Sequence, residues 1–157
     1  HADRQARKCF LLLPMCPVYG LGALAVLALP ESLSGSFWSL ALWGGLAATA
    51  VEYAVHVLYD RLLGVRFWDY SQVRWNLRGR VCLPFSLAWG ALALPLIYFV
   101  HPAVARLTAL IPPGVTWTAA ATVAADMAVS GVLMKVTGNR DCLRWYQKRA
   151  EKAREGG

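Results

Sequence analysis

The chain alternates between long apolar segments and short polar ones, and this pattern predicts helices more strongly than strands. Four apolar runs approach the roughly 20 residues that a helix needs to cross a bilayer of about 30 Å. The predicted spans are residues 10–29, 37–62, 81–100 and 115–137. The sequence therefore predicts an all-α, polytopic membrane protein with four transmembrane helices.

The segments between the predicted spans differ in length and charge. A short polar turn at residues 30–36 joins the first two spans, whereas the connection at residues 63–80 is longer and basic. The next connection, "HPAVARLTALIPPG", follows the third span; its middle could form a short helix on the surface, and Pro112, Pro113 and Gly114 are expected to end any helix. Residues 1–138 are predicted to form one transmembrane domain, and residues 139–157 a basic cytoplasmic tail at the membrane interface.

Composition and charge add an orientation to this picture. Hydrophobic residues make up 57% of the chain and its mean hydropathy is +0.42, which is too apolar for an ordinary soluble domain of this length. Of the 16 basic residues, all but Arg106 fall near the two ends or in the second connection. The positive-inside rule therefore predicts a cytoplasmic (inner) membrane protein with both termini in the cytoplasm. Topology explains the basic residues and no recognition module is visible, so nucleic-acid binding is not expected.

Two carboxylates lie well inside apolar spans, where a charged group costs about 2.5 to 3.5 kcal/mol on insertion scales. Glu52 lies on the same helical face as Thr49 and His56, and Asp126 lies on a second polar stripe with Ser130. Neither stripe is expected to face lipid, so the two helices are predicted to face each other or a shared cavity. The candidate residues of a substrate or ion site are Glu52, His56, Asp60, Asp126 and Ser130.

Several interpretations of these buried groups stay open. Glu52 and Asp126 could share one proton, or His56 could be the cationic partner of Glu52, and either arrangement could serve as a proton relay or cation site. The same groups could instead form hydrogen bonds that only pack helices together. The spacing Glu-x-x-x-His differs from the Glu-x-x-His of diiron bundles, and the four cysteines form no CxxC pair. No metal and no cofactor are therefore predicted.

The connection at residues 63–80 places arginines beside aromatic and turn-forming residues. Arginine binds phosphate through a fork of donors, so a phosphate or lipid head group is one interpretation, and a signal that fixes topology is the other. We expect a defined re-entrant or surface structure, with Asp69 paired to arginine, Asn76 as a cap and Gly79 in a tight backbone position. The candidate head-group or phosphate residues are Arg66, Asp69, Asn76, Arg78 and Arg80.

The segments "CPVYGLG", "VEY", "WDYS", "NLRGRVCLPFSLAWG" and "HP" together resemble a family of small bacterial membrane proteins described as ABC transporter permeases, the type IV ABC transporter group. The resemblance implies a transport-associated, permease-like protein. The sequence contains no P-loop of the form GxxxxGK[ST], so an ATPase partner is expected to be a separate chain. Other expected partners are membrane lipids and further copies in a homo-oligomer.

Three functional hypotheses follow from the residues and the resemblance. The first is a transport component with an intramembrane polar site. The second is an intramembrane enzyme that acts on a lipid-linked or amphipathic anionic substrate at the cytoplasmic leaflet, with His56, Asp60 and Asp69 as acid or base candidates, although the chain carries no recognised catalytic motif. The third is a noncatalytic membrane scaffold whose polar stripes only pack.

Overall fold

The computed structural model describes residues 12–13 and 15–138. The helices in this part of the chain are α1 (Pro17–Leu27), the short α2 (Glu31–Ser34), α3 (Phe37–Leu58), α4 (Leu83–Pro95), α5 (His101–Thr108) and α6 (Pro113–Thr137). An antiparallel hairpin of β1 (Asn76–Leu77) and β2 (Val81–Cys82) precedes α4, which the all-α prediction did not include. The predicted basic tail, residues 139–157, lies outside the described residues.

Three helical segments in the described part of the chain are long and apolar enough to cross a membrane. The first is α3 with the π-helical turn that follows it, Phe37–Leu63, and the second joins α4, a π-helical turn and α5 as Leu83–Thr108. The third is α6, Pro113–Thr137. At about 1.5 Å per residue each segment exceeds a hydrocarbon core of about 30 Å. The prediction of a mostly helical membrane protein is confirmed for these three segments.

The first predicted span takes a different form. Within the described residues it contains only α1, which has 11 residues. At about 1.5 Å per residue this helix covers roughly half of a bilayer core. The four-span prediction is therefore not confirmed. α1 packs against α3 and α4 at Gly22, where an added Cβ would make ordinary contacts with the Trp89 ring at 3.5 Å and with Ala48 at 3.8 Å.

The third predicted span continues beyond its predicted end at residue 100, and the short helix expected in the next segment is α5. The π-helical turn Leu96–Val100 leads directly into α5, so Pro102 lies within a continuous helical segment. A proline lacks an N–H donor and its ring clashes with the carbonyl one turn earlier in a regular α-helix. The wider π-helical turn immediately before Pro102 accommodates both effects, so the chain continues as a helix to Thr108.

Small residues allow α3 and α4 to approach closely. A Cβ built on Gly90 would lie 2.5 Å from the carbonyl oxygen of Ala41, and one on Gly45 would lie 3.0 Å from the Cα of Gly90. Gly44 is buried against Ala93, where an added Cβ would lie 2.7 Å from the alanine methyl group. These small residues place α3 and α4 backbone to backbone.

α6 joins the other described helices through one line of residues in its second half. The buried residues of α6 are Asp126, Ser130 and Met134, which are one helical turn apart. Met134 belongs to an apolar cluster that includes Val18 of α1 and Val55 of α3. In contrast, every residue from 98 to 122 is exposed. The first half of α6 therefore stands apart from the rest of the described chain.

Candidate functional site

The segment between α3 and α4, residues 64–82, folds back along α3 and is called the connecting loop below. Its residues Val65, Phe67 and Trp68 are buried. The indole Nε1–H of Trp68 donates to the carbonyl oxygen of Arg80 at 2.8 Å, and the N–H of Tyr70 donates to the carbonyl of Gly79 at 2.8 Å. The connecting loop is therefore a compact structure closed upon itself, as its pattern of aromatic and turn residues predicts.

A tight turn at the tip of the hairpin orients the arginines of the loop. The N–H of Arg80 donates to the carbonyl of Leu77 at 3.1 Å, and φ is positive at both central residues, 55° at Arg78 and 68° at Gly79. These values are typical of a type I′ turn, in which glycine carries no steric cost. The side chain of Asn76 accepts from the N–H of Gly79 at 2.9 Å. Asn76 thus caps this turn and is not the cap of α4, which begins after Cys82.

Asp69 also stabilises the loop itself. The prediction that it pairs with arginine is wrong, because its Oδ1 accepts from the backbone N–H of Ser71 at 2.8 Å and the ion pairs of the described arginines go to Asp60. Hydrogen bonds from Ser71 hold the pKa of Asp69 below its usual value. An added Cβ on Gly79 would lie 2.7 Å from that same Oδ1, so a larger residue at position 79 would displace the Asp69 side chain.

Glu52 lies at the centre of a buried group where the connecting loop meets α3 and α4. Glu52 is only 6% exposed. Oε1 accepts from the hydroxyl of Tyr70 at 3.0 Å, and Oε2 accepts from the indole N–H of Trp89 at 3.1 Å. Burial and the neighbouring Glu52 raise the pKa of Tyr70, so its phenol keeps the proton that it donates. One carboxylate thereby connects three segments of the chain.

His56 lies one turn beyond Glu52 on α3 and is 4% exposed. Its Nε2 is 3.1 Å from the carbonyl oxygen of Trp68. A carbonyl can only accept, so Nε2 carries the hydrogen, and Nδ1 of the neutral ring then presents a lone pair. Among the described residues, neither this Nδ1 nor the hydroxyl oxygen of Thr49 has a hydrogen-bond partner, although both atoms are buried. We call Thr49, Glu52, His56, Tyr70 and Trp89 the polar layer.

A second group lies at the loop end of α3. Asp60, in the π-helical turn, pairs with Nε of Arg66 at 3.0 Å and with a terminal guanidinium nitrogen of Arg80 at 3.0 Å. The other terminal nitrogen of Arg80 is 3.5 Å from the hydroxyl of Tyr53, and its guanidinium lies 5.5 Å from the centre of that ring. The guanidinium of Arg78 also lies near the Tyr53 hydroxyl. Tyr53, Asp60, Arg66, Arg78 and Arg80 are called the arginine cluster.

Asp126 and Ser130 belong to a different arrangement. Oδ1 of Asp126 accepts from the N–H of Leu12 at 3.1 Å and from the Ser130 hydroxyl at 3.0 Å, while Oδ2 accepts from the N–H of Leu13 at 3.0 Å. The N–H of Leu12 is also 3.1 Å from the oxygen of Ser130. In the described hydrogen bonds Asp126 and Glu52 have no partner in common. A proton shared between the two carboxylates stays a prediction.

The candidate residues thus divide into three groups. Glu52 and His56 lie in the polar layer, Asp60 lies in the arginine cluster, and Asp126 and Ser130 hold the segment before α1. Sequence reasoning did not identify Tyr70 or Trp89, and their positions carry no periodic signal. Within the described residues no three His, Cys, Asp or Glu side chains are grouped so that they could hold a metal ion.

An apolar cavity of about 230 Å³ lies between α1 and the α4–α5 segment. It is lined by Tyr19 and Gly22 on one side and by Trp89, Pro95 and Val100 on the other. The ring of Trp89 forms part of the cavity wall, while its N–H bonds to Glu52. One side chain therefore separates an apolar space from the polar layer.

Comparison with protein families agrees with the resemblance noted in the sequence. The model of a family described as "Putative ABC-transporter type IV" matches residues 1–134. The matched range includes every residue of the polar layer and of the arginine cluster. No match was found among curated proteins or among solved structures.

Proposed function

Because the chain belongs to the "Putative ABC-transporter type IV" family, we propose that it is the permease-like, membrane-spanning component of a transport system. The polar layer is the proposed intramembrane site, and its proposed ligand is a proton that binds at Nδ1 of His56. The 157 residues contain no P-loop, so an ATPase would have to lie outside them.

The observation that carries this proposal is the incomplete hydrogen bonding of the polar layer. Buried polar groups in folded proteins are almost always paired, since an unpaired one costs about 1 to 3 kcal/mol. Glu52 accepts from two donors, but Nδ1 of His56 and the hydroxyl oxygen of Thr49 are buried on the same helix without a partner among the described residues. An intramembrane carboxylate beside an unpaired imidazole nitrogen favours a site that takes up a proton.

The scaffold hypothesis fits Asp126 better than it fits Glu52. A scaffold requires every buried polar group to be satisfied, and the carboxylate of Asp126 meets that requirement with three donors. We therefore assign Asp126 and Ser130 a structural role and leave them out of the proposed proton site. The enzyme hypothesis gains no specific support, because Asp60 is held by two arginines and Asp69 by its own turn.

Orientation and assembly remain part of the proposal. By the positive-inside rule, the basic connecting loop and the basic termini are proposed to lie on the cytoplasmic side of the inner membrane. The exposed stretch of residues 98–122 leaves α5 and the first half of α6 available to a second copy or to another subunit. A homo-oligomer and a separate ATPase are thus compatible with the structure and the family.

Proton flux through reconstituted protein tests the proposed function. We expect proteoliposomes that contain the wild-type chain and an internal pH-sensitive dye to dissipate an imposed pH gradient faster than protein-free liposomes. His56→Gln and Glu52→Gln should each reduce this protein-dependent rate by about tenfold or more, because each removes a titratable group from the buried site. His101→Gln is the matched control, since His101 is exposed at the start of α5.

Two outcomes would contradict the proposal. One is a wild-type rate equal to that of protein-free liposomes. The other is equal flux in the wild type, His56→Gln and Glu52→Gln after folding of each variant has been verified by its circular dichroism spectrum.

A further inference from the structure

The π-helical turn after α3 and the connecting loop together concentrate positive charge at one end of the membrane-spanning helices. Residues 60–80 contain five arginines and two aspartates, which gives this short segment a net charge of +3. Three of the five, Arg66, Arg78 and Arg80, converge on Asp60 and on the hydroxyl of Tyr53. Two guanidinium groups, those of Arg66 and Arg80, thus share the carboxylate of Asp60, and that of Arg78 lies near the Tyr53 hydroxyl.

The charge in the arginine cluster is not balanced by the residues around it. The three guanidinium groups of the cluster carry three positive charges, and Asp60 contributes one negative charge. Asp69 lies close enough to act on Arg66, but its Oδ1 accepts from Ser71. Even with both aspartates counted, one positive charge remains, and like charges held together favour binding of an anion.

The positions of these arginines are fixed by the fold. The side chain of Arg80 is only 16% exposed, its carbonyl accepts from Trp68, and its N–H closes the hairpin turn. That turn also sets the backbone of Arg78 in the left-handed region. A topology signal requires positive charge, but it requires neither a guanidinium that is mostly shielded from solvent nor a turn that brings two arginines to one phenol.

We propose that Arg66, Arg78 and Arg80 bind the phosphate of an anionic lipid head group at the loop end of α3. Guanidinium groups bind phosphate oxygens through paired, charge-assisted hydrogen bonds. The hydroxyl of Tyr53 accepts from Arg80 and keeps its own hydrogen for a phosphate oxygen. Asp60 is a positioning residue that holds two of the guanidinium groups in place.

A lipid is favoured over free phosphate because of where the cluster lies. The span Phe37–Leu63 ends beside it, and the span Leu83–Thr108 begins three residues after Arg80. The exposed apolar residues Leu62, Trp75 and Leu77 lie at the same end of the helices. A head group at this level would leave its acyl chains among the apolar faces of the spans. This inference does not depend on the proposed transport function, because a scaffold or an enzyme could bind the same lipid.

Lipid titration of the purified full chain in detergent tests the inference. The probes are a short-chain phosphatidylglycerol, a phosphatidylcholine of the same chain length and inorganic phosphate, and bound lipid is counted by native mass spectrometry. We expect phosphatidylglycerol to bind at least about tenfold more tightly than phosphatidylcholine, and Arg78→Gln to remove most of that preference. Arg74→Gln is the matched control, since Arg74 is an exposed arginine of the same loop outside the cluster.

The variants and probes separate the alternatives. Equal losses in Arg78→Gln and Arg74→Gln would show that general positive charge attracts the lipid, which would overturn the assigned site. Displacement of phosphatidylglycerol by an equal concentration of inorganic phosphate would overturn the lipid assignment. Arg80→Gln should also lose the preference for phosphatidylglycerol over phosphatidylcholine. If loss of the pair with Asp60 prevents Arg80→Gln from folding, Arg78→Gln still tests the site, because Arg78 is not paired with Asp60.

Discussion

Asp126→Ala is expected to release the segment before α1 from α6 and to lower the free energy of unfolding by about 2 to 5 kcal/mol. The carboxylate accepts from two backbone N–H groups and from the Ser130 hydroxyl, and alanine would leave those donors without it. The effect is large because Asp126 belongs to the one line of buried residues on α6. Reversible unfolding in mixed micelles, followed by circular dichroism, measures the change.

Two other substitutions sharpen this prediction. Asp126→Asn keeps one acceptor oxygen and should lose less stability than alanine. Thr122→Ala changes an exposed residue one turn earlier, whose hydroxyl donates to the carbonyl of Thr118 on its own helix, and should have little effect. Equal stability of Asp126→Ala and Thr122→Ala would contradict the structural role of Asp126.

Gly90→Ala is expected to separate α3 from α4 and to destabilise the protein by about 1 to 3 kcal/mol. The new methyl group would lie 2.5 Å from the carbonyl oxygen of Ala41, and a backbone atom cannot move aside as a flexible side chain would. The displacement would also carry the neighbouring Trp89 away from Glu52. We therefore expect both a lower free energy of unfolding and a slower proton flux.

The matched control for this substitution is Gly131→Ala. Its added methyl group meets no atom within 4 Å, and alanine forms helices more readily than glycine by about 0.5 to 1 kcal/mol. Gly131→Ala should thus be neutral or stabilising in the same unfolding experiment. Equal free energies of unfolding for Gly90→Ala and Gly131→Ala would contradict the close approach of α3 and α4 at Gly90.

The sequence predicted the long helices because their signal is local. A sufficiently long apolar run forms a spanning helix however the rest of the chain folds. Three of the four predicted spans are long apolar helices in the structure. The stripe that contains Thr49, Glu52 and His56 was equally readable, since helical periodicity places them on one face. What periodicity does not specify is the partner that such a face meets.

The partners of the two carboxylates show this limit clearly. Glu52 bonds to Tyr70 and Trp89, which are 18 and 37 residues away in sequence, and their positions depend on how the connecting loop folds. Asp126 bonds to backbone N–H groups, which every residue except proline possesses and which leave no mark in a sequence pattern. Helical periodicity therefore predicted that the two stripes avoid lipid, but it did not specify which groups each carboxylate would meet.

Backbone features of single residues were also missed. Trp75 and Arg78 have φ values of 60° and 55°, a region that residues other than glycine seldom adopt. The helix that continues through Pro102 depends on a π-helical turn, for which no residue pattern was available. Neither feature leaves a periodic signal of apolar and polar positions in the sequence.

Hydrogen exchange of the indole N–H groups tests the central claim, that the connecting loop and α4 close over Glu52. In lipid nanodiscs, with ¹⁵N-labelled tryptophan observed by NMR, the N–H of Trp89 should exchange slowly because it bonds to Glu52, and that of Trp68 should be protected by the Arg80 carbonyl. Trp75 is 74% exposed and should exchange fast. Glu52→Leu should speed exchange at Trp89 and leave Trp68 protected. Exchange at Trp89 as fast as that at Trp75 in the wild type would contradict the claim.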